Sequence, residues 1–190
     1  MRDLPDLFAM PVLPGLASVE GFVTVDEEAA LIAAIQEVDL APFRFQRWTG
    51  KRQTHSFGWH YDFEHGVLEP GEPFPAWLRP IAARAEGFAG LPPGALAQVL
   101  VTRYDAGAGI GWHRDRPAFD DVVGVSLGNP ATMRFRRRSG TRFERASLPL
   151  PPRGAYHLCG EARHDWEHSI AAHEATRWSI TLRRLRAPRG

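Results

Sequence analysis

From Ala97 onward, polar and apolar positions alternate with period two in short runs, which predicts strands. The clearest run is Arg177-Trp-Ser-Ile-Thr-Leu-Arg183, with Trp178, Ile180 and Leu182 on one face and Arg177, Ser179, Thr181 and Arg183 on the other. Similar runs cover Gln98 to Tyr104, Val122 to Leu127, Thr132 to Arg137, Arg142 to Leu148, Gly154 to Cys159 and His168 to Ile170. Many short strands with glycine and proline turns favour a sandwich or jelly roll. Helical spacing is confined to two earlier stretches. Asp26 to Val38 carries Ala30, Leu31, Ala34, Ile35 and Val38 on one side, behind Thr24-x-x-Glu27 as a capping box. Pro75 to Gly87 carries Trp77, Leu78, Ile81, Ala82 and Ala85, with Pro80 delaying the regular part and Leu91-Pro-Pro-Gly94 ending it. The fold class is mainly β with flanking helices.

Composition adds little to that picture and excludes several classes. A length of 190 residues, 44% hydrophobic and 24% charged, suits one globular domain spanning 1–190. The only cysteine, Cys159, has no partner for an internal disulfide and reads as a small core residue in a reducing compartment. No apolar run is long enough to cross a membrane and the N-terminus lacks a signal pattern, so a cytoplasmic monomer is expected.

Charge matters locally. The formal net charge is only +1, yet Arg44 to Phe63 contains Arg44, Arg47, Lys51 and Arg52 interleaved with Phe45, Trp48, Phe57, Trp59, Tyr61 and Phe63. Arg134, Arg136, Arg137, Arg138, Arg142 and Arg145 form a second basic block around a Ser139-Gly140-Thr141 turn. That block reads equally as a solvated hairpin, with Met133 and Phe135 inward, or as a phosphate-contacting one. Trp59 and Tyr61 read either as base-stacking residues or, sharing parity with Phe57 and Phe63, as the core face of an edge hairpin.

The candidate chemistry centres on His113-Arg-Asp115. Ligands at i and i+2 point the same way from extended backbone, so the two side chains can grip one metal ion. A second histidine from a distant segment would complete a 2-His-1-carboxylate face, the arrangement of non-haem Fe(II) oxygenases. His157, His164, His168 and His173 are all available, and spacing alone does not choose among them. His168 is favoured by its place just before the arginine strand. Two arginines sharing one inward face need a carboxylate, which a dicarboxylate co-substrate would supply.

With these residues in view, the stretch from Lys51 to Arg183 resembles the AlkB family of Fe(II)- and 2-oxoglutarate-dependent dioxygenases. The matching pieces are Arg103-Tyr104, His113-x-Asp115, Val125-Ser-Leu-Gly128, Gly160-Glu-Ala-Arg163, His168-Ser-Ile170, and Arg177 with Arg183. The resemblance implies a double-stranded β-helix, with a jelly-roll core over 97–184 and a substrate lid over 44–63. It further implies His113, Asp115 and His168 as iron ligands, O2 as oxidant, and Tyr104 and Arg177 at the distal end of 2-oxoglutarate. Arg183 falls beside the metal-bound end, with Thr102 and Ser179 nearby, and Trp59, Tyr61, Arg52 and Arg163 fall on the substrate side. Thr102 stands where some members have Asn, and Pro117 where some have an acidic base-contacting residue. The expected substrate is an alkylated or modified base in single-stranded DNA or RNA, including tRNA, since Ala118-Phe-Asp-Asp121 and Trp166-x-His168 look more like the tRNA wobble-uridine branch. Two alternatives are a hydroxylase of protein side chains or small molecules, and a zinc hydrolase, which leaves Arg177 and Arg183 without a role.

Overall fold

The computed structural model describes residues 12–45, 48–61 and 68–187, excepting the side chains of 43–45, 48–49, 60–61 and 68. In chain order the elements are β1 (Leu16–Val19), α1 (Val25–Gln36), β2 (Ala41–Phe45), β3 (Trp48–Tyr61), β4 (Leu68–Pro70), α2 (Arg79–Ala89), β5 (Leu96–Tyr104), β6 (Ile110–His113), β7 (Phe119–Gly128), β8 (Ala131–Ser139), β9 (Arg142–Leu150), β10 (Ala155–Leu158), α3 (Gly160–His164), β11 (Glu167–Ile170) and β12 (Arg177–Leu185). They form a major sheet in the order β1-β10-β7-β12-β5-β3-β2, with β4 on β3, and a minor sheet in the order β6-β11-β8-β9. Every strand pair is antiparallel.

The period-two pattern has a direct consequence in the major sheet. Val99, Val101, Val123, Val125, Leu127, Ile180 and Leu182 point to the side covered by α1 and α2, where they pack with Leu31, Ile35, Leu78, Ile81 and Ala85. The opposite face looks toward the minor sheet. Near β10 it is apolar, where Val122 and Leu158 meet Met133, Phe135, Leu148 and Ile170. Elsewhere it is polar across four strands, because Thr54, Thr102, Ser179 and Ser126 stand in one cross-strand row. This is the expected jelly-roll arrangement with helices on one side.

Both helices start where local chemistry dictates. Thr24 accepts from the Glu27 amide at 3.1 Å and Glu27 accepts from the Thr24 amide at 2.8 Å, closing the capping box. In α2, Pro80 occupies the first turn, where its missing N–H costs nothing, and Gly90 at φ 66° ends the helix. Most strands run one to three residues beyond the alternating patterns, whereas β10, at Ala155–Leu158, is a residue shorter at each end than Gly154 to Cys159. β1, β6 and α3 have four or five residues each, too short for periodicity to announce.

The aromatic strand departs from simple alternation. Phe57 is buried against Trp77, whereas Trp59 is 36% exposed, because Gly58 between them adopts φ 77°. A Cβ there would stand 2.2 Å from the Ala97 carbonyl oxygen, so only glycine allows the kink. The shared-core reading therefore holds for Phe57 and fails for Trp59. The side chains of Phe45, Trp48 and Tyr61, and Phe63 altogether, lie outside the described residues. Cys159 is half-buried at the start of α3 rather than a core residue. No helix among the described residues is long and apolar enough to cross a membrane.

Replacing Thr24 with Ala should cost about 1 kcal/mol through loss of the cap, a fall of roughly 2–4 °C in the thermal midpoint. Thr24→Ser should restore most of it. An unchanged midpoint in the alanine variant would mean that Glu27, which also pairs with Arg84 at 2.6 Å, holds the helix start unaided.

Candidate active site

The two sheets enclose a cavity of about 1210 Å³. Its wall includes Thr102, Tyr104, Thr181 and Arg183 from the major sheet and His113, Met133, His168 and Ile170 from the minor sheet. His113, at the end of β6, is directly opposite His168 on β11, and their rings are 4.3 Å apart between centroids. Asp115 follows in the loop beyond β6. One ligand atom from each of His113, Asp115 and His168 lies within 4.8 Å of the others, a spacing that fits a single metal ion.

The electrostatics hold this trio in ligand form. His113 Nδ1 sits 2.8 Å from the Gly111 carbonyl oxygen. A carbonyl only accepts, so Nδ1 carries the proton and Nε2 presents its lone pair. Burial pushes His113 below its ordinary range. It pushes His168 down to about 3, with His113 adding to the effect. Burial would raise the Asp115 carboxyl, but the guanidiniums of Arg183 and Arg163 hold it well below the usual carboxylate range. Two neutral imidazoles and one carboxylate are the donor set an Fe(II) ion needs.

Arg183 donates to Asp115 Oδ1 at 3.2 Å and to Gln98 Oε1 at 3.0 Å, and Gln98 in turn donates to Ser56 Oγ. Arg177, only 1% exposed, is not part of the cavity wall and stands behind Tyr104, which is. One of its amino groups donates to Ser126 Oγ at 2.9 Å, and its guanidinium carbon lies 4.8 Å over the ring of Tyr104, its cross-strand neighbour. Its Nε and Nη1 have no hydrogen-bond partner among the described residues. A buried guanidinium with two idle donors is strongly unfavourable unless an anion completes it. A carboxylate is the planar acceptor that matches such a fork.

The structure gathers Tyr104, Thr102, Arg52, His164 and Arg163 around the same cavity. Ser179 sits between Thr102 and Ser126 in the polar row and is buried behind the wall. Arg163 is 3% exposed and donates to the carbonyls of Arg116 and Phe119, bracing the loop that carries Asp115. Arg52 on β3 is 7% exposed, and burial lowers its pKa. Trp59 stands outside the cavity wall, and the Tyr61 side chain and Arg47 fall outside the described residues.

Several contributors had no obvious signal in the sequence. Ser126 and Gln98 orient the two arginines, and Tyr156 lies against Gly124 in the cavity wall. A Cβ on Gly124 would come within 2.4 Å of the Tyr156 ring. A glycine inside a strand marks such a close approach, and that was the available clue. The acidic pair after the ligands is also spoken for: Asp120 meets His164 and Asp121 meets His157, each at 2.9 Å. Asp121 also takes Arg184 at 3.2 Å. His157 is thus the buried, satisfied histidine expected of it, although Asp121, His157 and Cys159 also cluster closely enough to hold an ion.

A family model described as the 2OG-Fe(II) oxygenase superfamily matches residues 17–186. The chain is 31% identical over 215 residues to an Arabidopsis thaliana protein named "Alkylated DNA repair protein ALKBH8 homolog", covering 92% of this chain and 59% of that protein. It is 29% identical over 166 residues to "tRNA (carboxymethyluridine(34)-5-O)-methyltransferase ALKBH8" of Macaca fascicularis, covering 83% of this chain and 24% of that one. The chain thus spans less than two thirds of either relative. Among solved structures, OsALKBH1 superposes with a TM-score of 0.70 at 16% identity, covering 90% of this chain and 96% of that one. A Pseudomonas putida prolyl-4-hydroxylase superposes at 0.60 and 14% identity, covering 91% and 94%. At these identities the superpositions establish the fold.

The depressed histidines make the metal-free protein acid-sensitive. Unfolded histidine titrates near pH 6.5, so between about pH 6.5 and 4.5 the unfolded chain takes up protons that His113 and His168 refuse in the fold. Stability must fall as pH drops through that window. The urea midpoint of metal-free protein should therefore decline from pH 7 to 4.5, and His168→Asn should flatten the decline. An equally steep decline in the variant would show that neutral His168 is not what the fold requires.

Proposed function

Because the chain belongs to the 2OG-Fe(II) oxygenase superfamily, we propose that it acts as an AlkB-type member and oxidises an alkylated or modified base in nucleic acid, with tRNA the favoured class. It is a dioxygenase that uses Fe(II), 2-oxoglutarate and O2, which removes the zinc-hydrolase alternative. When bound, the iron and its co-substrate supply the oxidising power to insert oxygen at an unactivated C–H bond. The product is a hydroxylated base or, at an N-methyl carbon, the demethylated base and formaldehyde. The preference for tRNA rests on the relative whose name carries a tRNA activity, of which this chain spans 24%.

In this reading His113, Asp115 and His168 hold the iron. Arg183 fixes the Asp115 carboxylate through its 3.2 Å contact and keeps it ionised for the metal. Arg177 receives the distal carboxylate of 2-oxoglutarate with its idle Nε and Nη1 donors, backed by the Tyr104 ring. Those two unpartnered donors on a guanidinium 1% exposed are the observation that carries the assignment. Thr102, Thr54 and Ser56 line the intervening wall with hydroxyls. The target base enters from the side of Arg114, Trp112 and His164, which line the cavity and are more open to solvent than the buried Arg52. A base must leave its stack to reach so recessed a site, which favours single strands and loops.

Protein supplied with Fe(II), 2-oxoglutarate and ascorbate should form succinate, and His113→Ala or Asp115→Ala should abolish it. Arg177→Lys keeps the charge and loses the fork, so the 2-oxoglutarate requirement should rise roughly ten- to a hundred-fold, the equivalent of about 1.5 to 3 kcal/mol. Metal binding should be unchanged. A normal 2-oxoglutarate titration in this variant would place the anchor elsewhere. Mass spectrometry of methylated single-stranded DNA, duplex DNA and tRNA after turnover identifies the substrate, and no base oxidation in any of them would point to a protein side chain or small molecule.

A further inference from the structure

The outward face of the minor sheet carries a continuous ladder of arginines and aromatic rings. β8 contributes Arg134, Arg136 and Arg138, and their cross-strand neighbours on β9 are Ser147, Arg145 and Phe143. The inward positions of the same strands, Met133, Phe135 and Leu148, are buried in the core. On the outward face the guanidinium carbons of Arg134 and Arg136 lie 5.3 and 4.5 Å from the Trp112 ring. Those of Arg136 and Arg145 lie 4.9 and 5.9 Å from the Phe143 ring. Trp112 directly precedes His113 on β6 and also edges the cavity. The ladder therefore starts at a residue of the cavity wall and leads away from it.

Its charge is unbalanced. Of the strand residues on this face, only Glu167 on β11 is acidic, and it pairs with Arg136 at 2.6 Å. Arg134, Arg138 and Arg145 are exposed and form no ion pair among the described residues. Arg137, on the opposite parity, is different, because Glu144 and Glu161 neutralise it. Phe143 is 41% exposed. A solvated hairpin would bring acids to offset these cations, and here three of the arginines have none among the described residues.

We infer that this face is a docking track for the phosphate backbone of a single-stranded nucleic acid whose target base occupies the cavity. The inference rests on the nucleic-acid reading above and extends it. Arg134, Arg138 and Arg145 meet phosphates, while the exposed ring of Phe143 accepts a base in a sequence-independent way. The track carries the flanking strand, so target choice remains with the cavity.

A fluorescein-labelled 16-nucleotide RNA and its DNA counterpart, titrated between 50 and 200 mM salt, test the track on the full chain. In single strands each neutralised phosphate contributes about 0.7 to the slope of log affinity against log salt. The double variant Arg134→Gln/Arg145→Gln should shallow that slope by about 1.4, while its circular-dichroism spectrum and thermal midpoint stay at wild type. Phe143→Ala should weaken binding about five-fold or more with little change of slope, since a ring carries no charge. A double variant that keeps the wild-type slope overturns the track and leaves the nucleic-acid reading standing. Wild-type protein that binds neither strand at 50 mM salt overturns both.

Discussion

A guanidinium sealed between two β-sheets must be given an anion, and much of this molecule's interior follows from that requirement. Arg177 and Arg183 project from β12 into the space between the sheets. Arg183 finds Asp115, and the pairing explains why a carboxylate with almost no access to water remains ionised. Among the described residues Arg177 finds only a serine hydroxyl and an aromatic face, and no carboxylate that pairs with its charge. Leaving a buried cation short of its partner costs stability, and the proposed role of Arg177 as the 2-oxoglutarate anchor would recover that cost on binding.

The candidate metal ligands depend on the same economy of buried polar groups. Asp115 lies in a loop, and a loop holds a ligand accurately only when its backbone is tied down. Arg163 supplies that tie by donating to two carbonyls on either side of the following turn. Two further acid–histidine contacts, Asp120 with His164 and Asp121 with His157, fasten the start of β7 to α3 and β10. These interactions link the loop to segments some forty residues away without touching the ligand atoms. Their effect is to hold Asp115 opposite the His113–His168 pair.

The two faces of the minor sheet divide the remaining work. Its inner face seals the core with Met133, Phe135 and Ile170 and presents His168 to the cavity. Its outer face is cationic and aromatic, and Trp112 joins the two where β6 reaches the cavity. One short strand therefore carries a ligand histidine pointing inward and a ring pointing outward at adjacent positions, a direct result of strand alternation. Chemistry and strand guidance can thus be served by neighbouring residues.

What was legible in the sequence was whatever depends on neighbours along the chain. Period-two alternation identified β5, β7, β8, β9 and β12 and which side of β12 carries its arginines; the Thr24–Glu27 box and Pro80 located the two helices. The His-x-Asp spacing identified two of the three clustered ligand residues, because i and i+2 share a side locally. Long-range pairing was not legible from local pattern. Spacing did not select His168 from four histidines; its register opposite His113 across β6 and β11 does so. Nothing local announces that Ser126 meets Arg177, that Gln98 meets Arg183, or that Tyr156 lies over Gly124. Nor did parity reveal that Gly58 turns Trp59 out of the core into which Phe57 points. Each of these was decided by the closure of two sheets on one another, since partners distant in sequence are matched only by the three-dimensional register that packing imposes.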